Sequence, residues 1–185
     1  AFDYWQYLDS MVFWEGLVPT PDVIDAGHRN GVPVYGTLFF NWSNSIADQE
    51  KFAEALKQDP DGSFPIARKL VDMAKYYGYD GYFINQETTG DLVEPLGEKM
   101  RQFMLYTKEY AAKVNHPIKY SWYDAMTYNY GRYHQDGLGE YNYQFMQPEG
   151  DKVPADNFFA NFNWDKAKND YTITTANWIG RNPYD

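Results

Sequence analysis

Residues 65–87 read PIARKLVDMAKYYGYDGYFINQE, and two periodicities meet in them. Ile66, Leu70, Met73, Ala74 and Tyr77 recur at helical spacing, opposite Arg68, Lys69, Asp72 and Lys75. That pattern predicts an amphipathic helix over 65–77. Gly78 closes the helix, Asp80-Gly81 turns the chain, and residues 81–86 (GYFINQ) read as a short strand.

Working outward, the same alternation repeats. Upstream, residues 8–15 (LDSMVFWE) read as a strand, 22–30 as a helix ended by Gly31, 32–40 (VPVYGTLFF) as a buried strand, and 49–56 as a helix before a turn at 59–62. Downstream, Leu96, Met100, Phe103, Met104 and Thr107 mark the inner face of a helix over 95–115, stopped by Pro117. Residues 118–123 (IKYSWY) form the next strand. A long loop rich in Tyr, Asn and Gly follows over 124–156. A last strand over 157–164 (NFFANFNW) leads to a helix over 165–179 closed by Gly180.

Apolar strands separated by amphipathic helices imply parallel pairing with the helices outside. Both a doubly wound sheet and a (β/α)8 TIM-type barrel fit this order. No Gly-rich phosphate turn follows a strand, which weakens the nucleotide-binding version. A barrel needs eight units and typically about 250 residues. The 185 residues here supply five or six βα units. Read as a barrel, residues 1–185 are one partial barrel with no internal domain boundary.

Composition narrows the function. Twenty-six acidic against 16 basic side chains leave a net charge of −10. That charge disfavours nucleic acid and anionic lipid as partners. No run approaches the roughly 20 apolar residues that span a membrane, and zero Cys excludes disulfides and thiolate-bound metals. The excess is aromatic: 18 Tyr, 12 Phe and 6 Trp make 19% of the chain. Tyr and Trp offer a flat apolar face with a polar handle, which suits the C–H faces of sugar rings as well as a packed core.

Few motifs carry chemistry. His28, His116 and His134 lack metal-ligand spacing, so no metal or other cofactor is expected. Asn85-Gln86-Glu87 ends the strand that opens at Gly81. Residues two apart on a strand share a face, their Cα atoms about 6.5–7 Å apart. Asn85 and Glu87 therefore point one way, at the carboxyl end where α/β folds place ligands, and Gln86 points to the helices. A polar strand end facing water has the same spacing. As chemistry, a lone Glu serves as general acid/base, but most glycosidases need a second carboxylate. Asn is no base near neutral pH, yet it can orient a substrate that carries its own nucleophile. A 2-acetamido sugar is such a substrate.

The run 78–87 (GYDGYFINQE) resembles the catalytic strand of glycoside hydrolase family 85. Tyr4-Trp5-Gln6-Tyr7, residues 28–34 (HRNGVPV), Ser121-Trp122-Tyr123-Asp124 and Asn161-Phe162-Asn163-Trp164 resemble further family segments in the same order. The resemblance covers the whole chain. It implies a (β/α)8 barrel that cuts the β-1,4 bond of the N,N′-diacetylchitobiose core of N-glycans through an oxazolinium intermediate. Glu87 then acts as acid/base, Asn85 orients the acetamido group, and Tyr123 donates to its carbonyl oxygen. Trp14, Phe40, Trp42, Asn161 and Trp164 are expected to line the sugar cleft. Asp124 is expected either to touch substrate or to brace a loop. The resemblance further implies a secreted bacterial enzyme at the cell surface or cell wall, and a longer protein whose additional strands close the barrel. The segment alone is expected to be inactive or poorly folded. Two other readings use the same residues: a glycan-binding barrel without turnover, and a glycosidase pairing Glu87 with Asp124 or Glu15.

Overall fold

The structure is a computed structural model that describes residues 2–184. The described residues form five strands and five α-helices in the order β1 Met11–Val12, α1 Pro21–Arg29, β2 Val34–Ser43, α2 Ile46–Ala55, α3 Pro65–Tyr77, β3 Gly81–Thr88, α4 Gly97–Lys113, β4 Lys119–Tyr123, β5 Asn157–Phe159 and α5 Lys166–Trp178. The strands lie side by side in chain order, and every neighbouring pair is parallel. A doubly wound sheet reverses its order at a switch point. Here the order never reverses. Crossovers of one hand therefore stack the helices on a single face, and the sheet curls into a half-barrel.

Two expected strands shorten, both at sheet edges. The first strand shrinks from residues 8–15 to β1, and the last from 157–164 to β5. An edge strand has one neighbour to hold it, so its ladder ends wherever side chains find better partners. Phe13 N still donates to the Tyr35 carbonyl and Thr37 N to the Gly16 carbonyl, so the ladder resumes beyond a turn at Trp14-Glu15. The helix expected from residue 95 begins as a 3-10 turn, Glu94–Leu96, before α4.

The pleat sorts the side chains into two layers. Tyr82 and Ile84 of β3 and Tyr120 and Trp122 of β4 face the helices, among Leu70, Phe103 and the rest of the main core. The opposite face forms a small separate cluster of Phe83, Tyr123 and Ala125, with Val12 against it. Helix α3 ends where Gly78 adopts φ 81° and donates to the Ala74 carbonyl, a conformation that costs glycine least. That tight reversal lets β3 start three residues later.

Candidate active site

Register brings the site together. In the parallel ladder Phe39 pairs with Asn85, Phe83 with Ser121, and Tyr123 with Phe159. Register partners share a face, so these side chains line the concave side of the sheet. Phe39, Phe83, Asn85, Tyr123 and Phe159 wall a cleft of about 450 Å³, with Asn85, Glu87 and Tyr123 as its polar groups. Trp14, Phe39, Phe83 and Phe159 supply an apolar floor. Trp14 meets Phe39 edge-on at 5.9 Å, and Phe83 meets Phe159 edge-on at 5.4 Å.

At the head of the cleft Asn85 Nδ2 donates to Glu87 Oε2 at 3.0 Å. Asn85 is 2% exposed, so its amide has few alternatives. With the NH2 group committed to the carboxylate, the Asn85 carbonyl oxygen is the acceptor that remains. His134 Nε2 stands 3.5 Å from Glu87 Oε1, on the other side of the carboxyl group. Arg132 donates to the Glu87 backbone carbonyl at 2.8 Å, and its guanidinium lies 3.5 Å over the Trp42 ring. Burial pulls the Arg132 pKa down, while the Glu87 charge pushes it up. Gln86, as the alternation requires, is buried away from the cleft and bonds to Thr88 of its own strand.

Tyr123 Oη donates to Asn161 Oδ1 at 2.8 Å. Burial first, then the charges of Glu87, Asp124 and Asp136, push its phenol up to about 12. It therefore keeps its proton across the neutral range. Asp124, one residue on, is fully buried and turned away from the cleft. Its carboxylate accepts from Gln135 N at 3.3 Å, Gly137 N at 2.9 Å and Asn142 Nδ2 at 2.8 Å. Burial raises its pKa to about 7 against the pull of those donors. Asp124 ties backbone and side-chain N–H groups of the following loop and does not line the cleft.

The aromatic expectations divide. Trp14 lines the cleft. Phe40 does not: it is a correction, because Phe40 pairs with Gln86 and packs edge-on against Phe52 in the helix layer at 4.9 Å. The cleft residue is its neighbour Phe39. Trp42 lies within an irregularity of the β2–β3 ladder and stacks on His134 at 5.5 Å, which puts it beside Glu87 rather than on the cleft wall. Asn161 accepts from the Tyr123 hydroxyl and does not line the cleft. Trp164 is exposed outside the cleft. Phe83, Phe159 and His134 were not anticipated. The parity of β3 could have found Phe83, whereas His134 reaches Glu87 only through loop geometry. Among the described residues no group of three or more His, Asp or Glu side chains is placed to hold a metal ion. No helix there is long and apolar enough to cross a membrane.

The model of glycosyl hydrolase family 85 matches residues 1–185. The chain belongs to that family. Its fold superposes on the glycoside hydrolase domain of Endo-D from Streptococcus pneumoniae R6 with a TM-score of 0.98 and 97% identity, over 99% of this chain and 29% of that one. The cytosolic endo-beta-N-acetylglucosaminidase of Gallus gallus is 31% identical over 170 residues, 89% of this chain and 21% of the relative. An Arabidopsis thaliana protein, cytosolic endo-beta-N-acetylglucosaminidase 2, is 26% identical over all of this chain and 25% of its own length. The chain thus spans between a fifth and a third of the length of these proteins.

Proposed function

We propose that this chain carries the reacting groups of an endo-β-N-acetylglucosaminidase that hydrolyses the β-1,4 bond of the N,N′-diacetylchitobiose core of N-glycans. The observation that carries this reading is the Asn85–Glu87 hydrogen bond at the head of an aromatic cleft. It leaves one amide oxygen free to accept an acetamido N–H. The family membership and the names of the relatives support the same bond specificity.

In the first step the substrate's acetamido oxygen attacks the anomeric carbon. The bond to the departing sugar oxygen breaks, and Glu87 gives that oxygen its proton. Asn85 accepts the acetamido N–H as positive charge develops on it, and Tyr123 donates to the carbonyl oxygen to orient it. Water then adds to the anomeric carbon of the oxazolinium and Glu87 takes its proton. The acetamide re-forms, with retained configuration. The aromatic floor receives the apolar faces of the rings. A second carboxylate has no part in this scheme. Asp124 is engaged with loop N–H groups, and Glu15 lines a neighbouring groove rather than this cleft.

Residues 1–185 are read as one unit of the catalytic barrel. We place its action outside the cell or at its surface on the strength of the bacterial resemblance alone. The animal and plant relatives are named cytosolic, so the family does not dictate a compartment.

The test uses the complete protein and an N-glycopeptide labelled on its peptide. Asn85→Ala and Glu87→Gln should each lower hydrolysis by about 10²-fold or more. Given a preformed sugar oxazoline, Asn85→Ala should still transfer it, and the Asn85/Glu87 double variant should not. Hydrolysis by Asn85→Ala at close to the parent rate, or release of the inverted anomer, would overturn the mechanism.

A further inference from the structure

The Tyr123 hydroxyl stands at the end of a chain of polar groups that leads away from the cleft. Asn161 Nδ2 donates to Asp136 Oδ1 at 2.6 Å, and Lys168 Nζ donates to Asp136 Oδ2 at 2.7 Å. Lys168 belongs to the first turn of α5 and is also tied to the Asn163 carbonyl at 2.9 Å. Asp136 therefore has one carboxylate oxygen on each of two donors. Its side chain is 14% exposed. Burial pushes its pKa up, but Lys168 and Asn161 outweigh it and hold the carboxyl below the ordinary range.

The polarity of the chain is forced. An ionised carboxylate only accepts, so Asn161 must turn its NH2 group toward Asp136. Its carbonyl oxygen then faces Tyr123, and the phenol must donate to it. A free asparagine amide could present either end. The loop that delivers Asp136 is itself constrained. Its backbone is left-handed at Asp136, with φ 58°, a conformation that Asp and Asn tolerate better than most residues. The amides on either side, Gln135 N and Gly137 N, are both held by the buried Asp124 carboxylate.

We propose that Asp136 is a positioning residue that acts through Asn161 to fix where the Tyr123 hydroxyl sits, with Asn161 Oδ1 holding its proton until a substrate carbonyl oxygen takes over as acceptor. The inference rests on the role given above to Tyr123 and extends it. The phenol proton is held by Asn161 Oδ1. When an acetamido carbonyl oxygen enters, it replaces that oxygen as acceptor, and the phenol has only to rotate its O–H. Asp136 and Lys168 touch neither Glu87 nor the cleft floor. They influence the reaction through one hydroxyl.

A double-mutant cycle in the complete protein tests this. Asp136→Asn keeps a residue suited to the left-handed backbone but offers one acceptor oxygen to two donors. Asn161 is then released to present either end. Turnover of the labelled N-glycopeptide should show kcat reduced roughly 10- to 100-fold, with KM changed less than about threefold. In a Tyr123→Phe background the same substitution should change kcat by less than about twofold. Lys168→Met, at a half-exposed position, loosens Asp136 without touching the loop and should show the same dependence on Tyr123 at smaller amplitude. It decides the question if Asp136→Asn does not fold. Equal kcat losses with and without the phenol hydroxyl would overturn the proposal. Activity retained by Glu87→Gln would instead sink the underlying reading, so the two failures are distinguishable.

Discussion

Asp124 shows how far a neighbouring residue can be from sharing its neighbour's role. Tyr123 and Asp124 alternate across the strand end, so the phenol enters the cleft while the carboxylate turns into the loop. Burial raises the Asp124 carboxyl from 3.8 to about 7, partly offset by the N–H donors around it. A carboxyl raised on folding binds its proton more tightly in the native state. The stability this confers is fully present below about pH 4 and is lost as pH rises to about 7. By linkage the loss is at most about 4 kcal/mol. Thermal melts of the complete protein between these limits should therefore fall more steeply with pH than those of Asp124→Asn. Parallel curves would show that this group does not titrate in the window. The same loop carries His134 and Asp136, so loosening it reaches both Glu87 and Tyr123.

Within β2, two adjacent phenylalanines do opposite things because the pleat has period two. Phe39 pairs with Asn85 and is 52% exposed over the cleft, whereas Phe40 pairs with Gln86 and packs on Phe52. Phe40→Ala should cost about 2–4 kcal/mol in urea unfolding, since it empties part of the core. Phe39→Ala should cost less than about 1 kcal/mol and instead raise KM for the glycopeptide. Equal destabilisation by both would mean that the two faces are not distinct. The same parity aligns Phe83, Asn85 and Glu87 on β3. A single-residue slip between β2 and β3 would turn the reacting pair into the helix layer.

Across the whole chain, the concave face is apolar and open. Trp14, Phe39, Phe159 and Phe162 are all exposed there, and β1 and β5 present the sheet's two edges. Exposed aromatic surface of this kind, rimmed by unpaired strand edges, drives association. Studied as the 185-residue chain, the protein should sediment as species that grow with concentration, despite its charge of −10. Trp14→Ser with Phe162→Ser should shift it toward monomer. A concentration-independent monomer would show that the open face is not adhesive. The same face is where a glycan's rings are proposed to lie.

The order of strands and helices, the parallel pairing and the shared face of Asn85 and Glu87 were legible in the chain. Each depends on local periodicity: 3.6 for α3, two for β3. The choice of barrel over doubly wound sheet was not, because both satisfy the same pattern, and only the unreversed strand order distinguishes them. Phe40 was misplaced for a related reason. An unbroken apolar run such as VPVYGTLFF has no polar alternation to mark which face is which, and the register with β3 decides it. His134, Asp136 and Asn161 converge on Glu87 and Tyr123 from loops. Contacts between segments far apart in the chain leave no spacing to read, so the support of the site belongs to the tertiary structure alone.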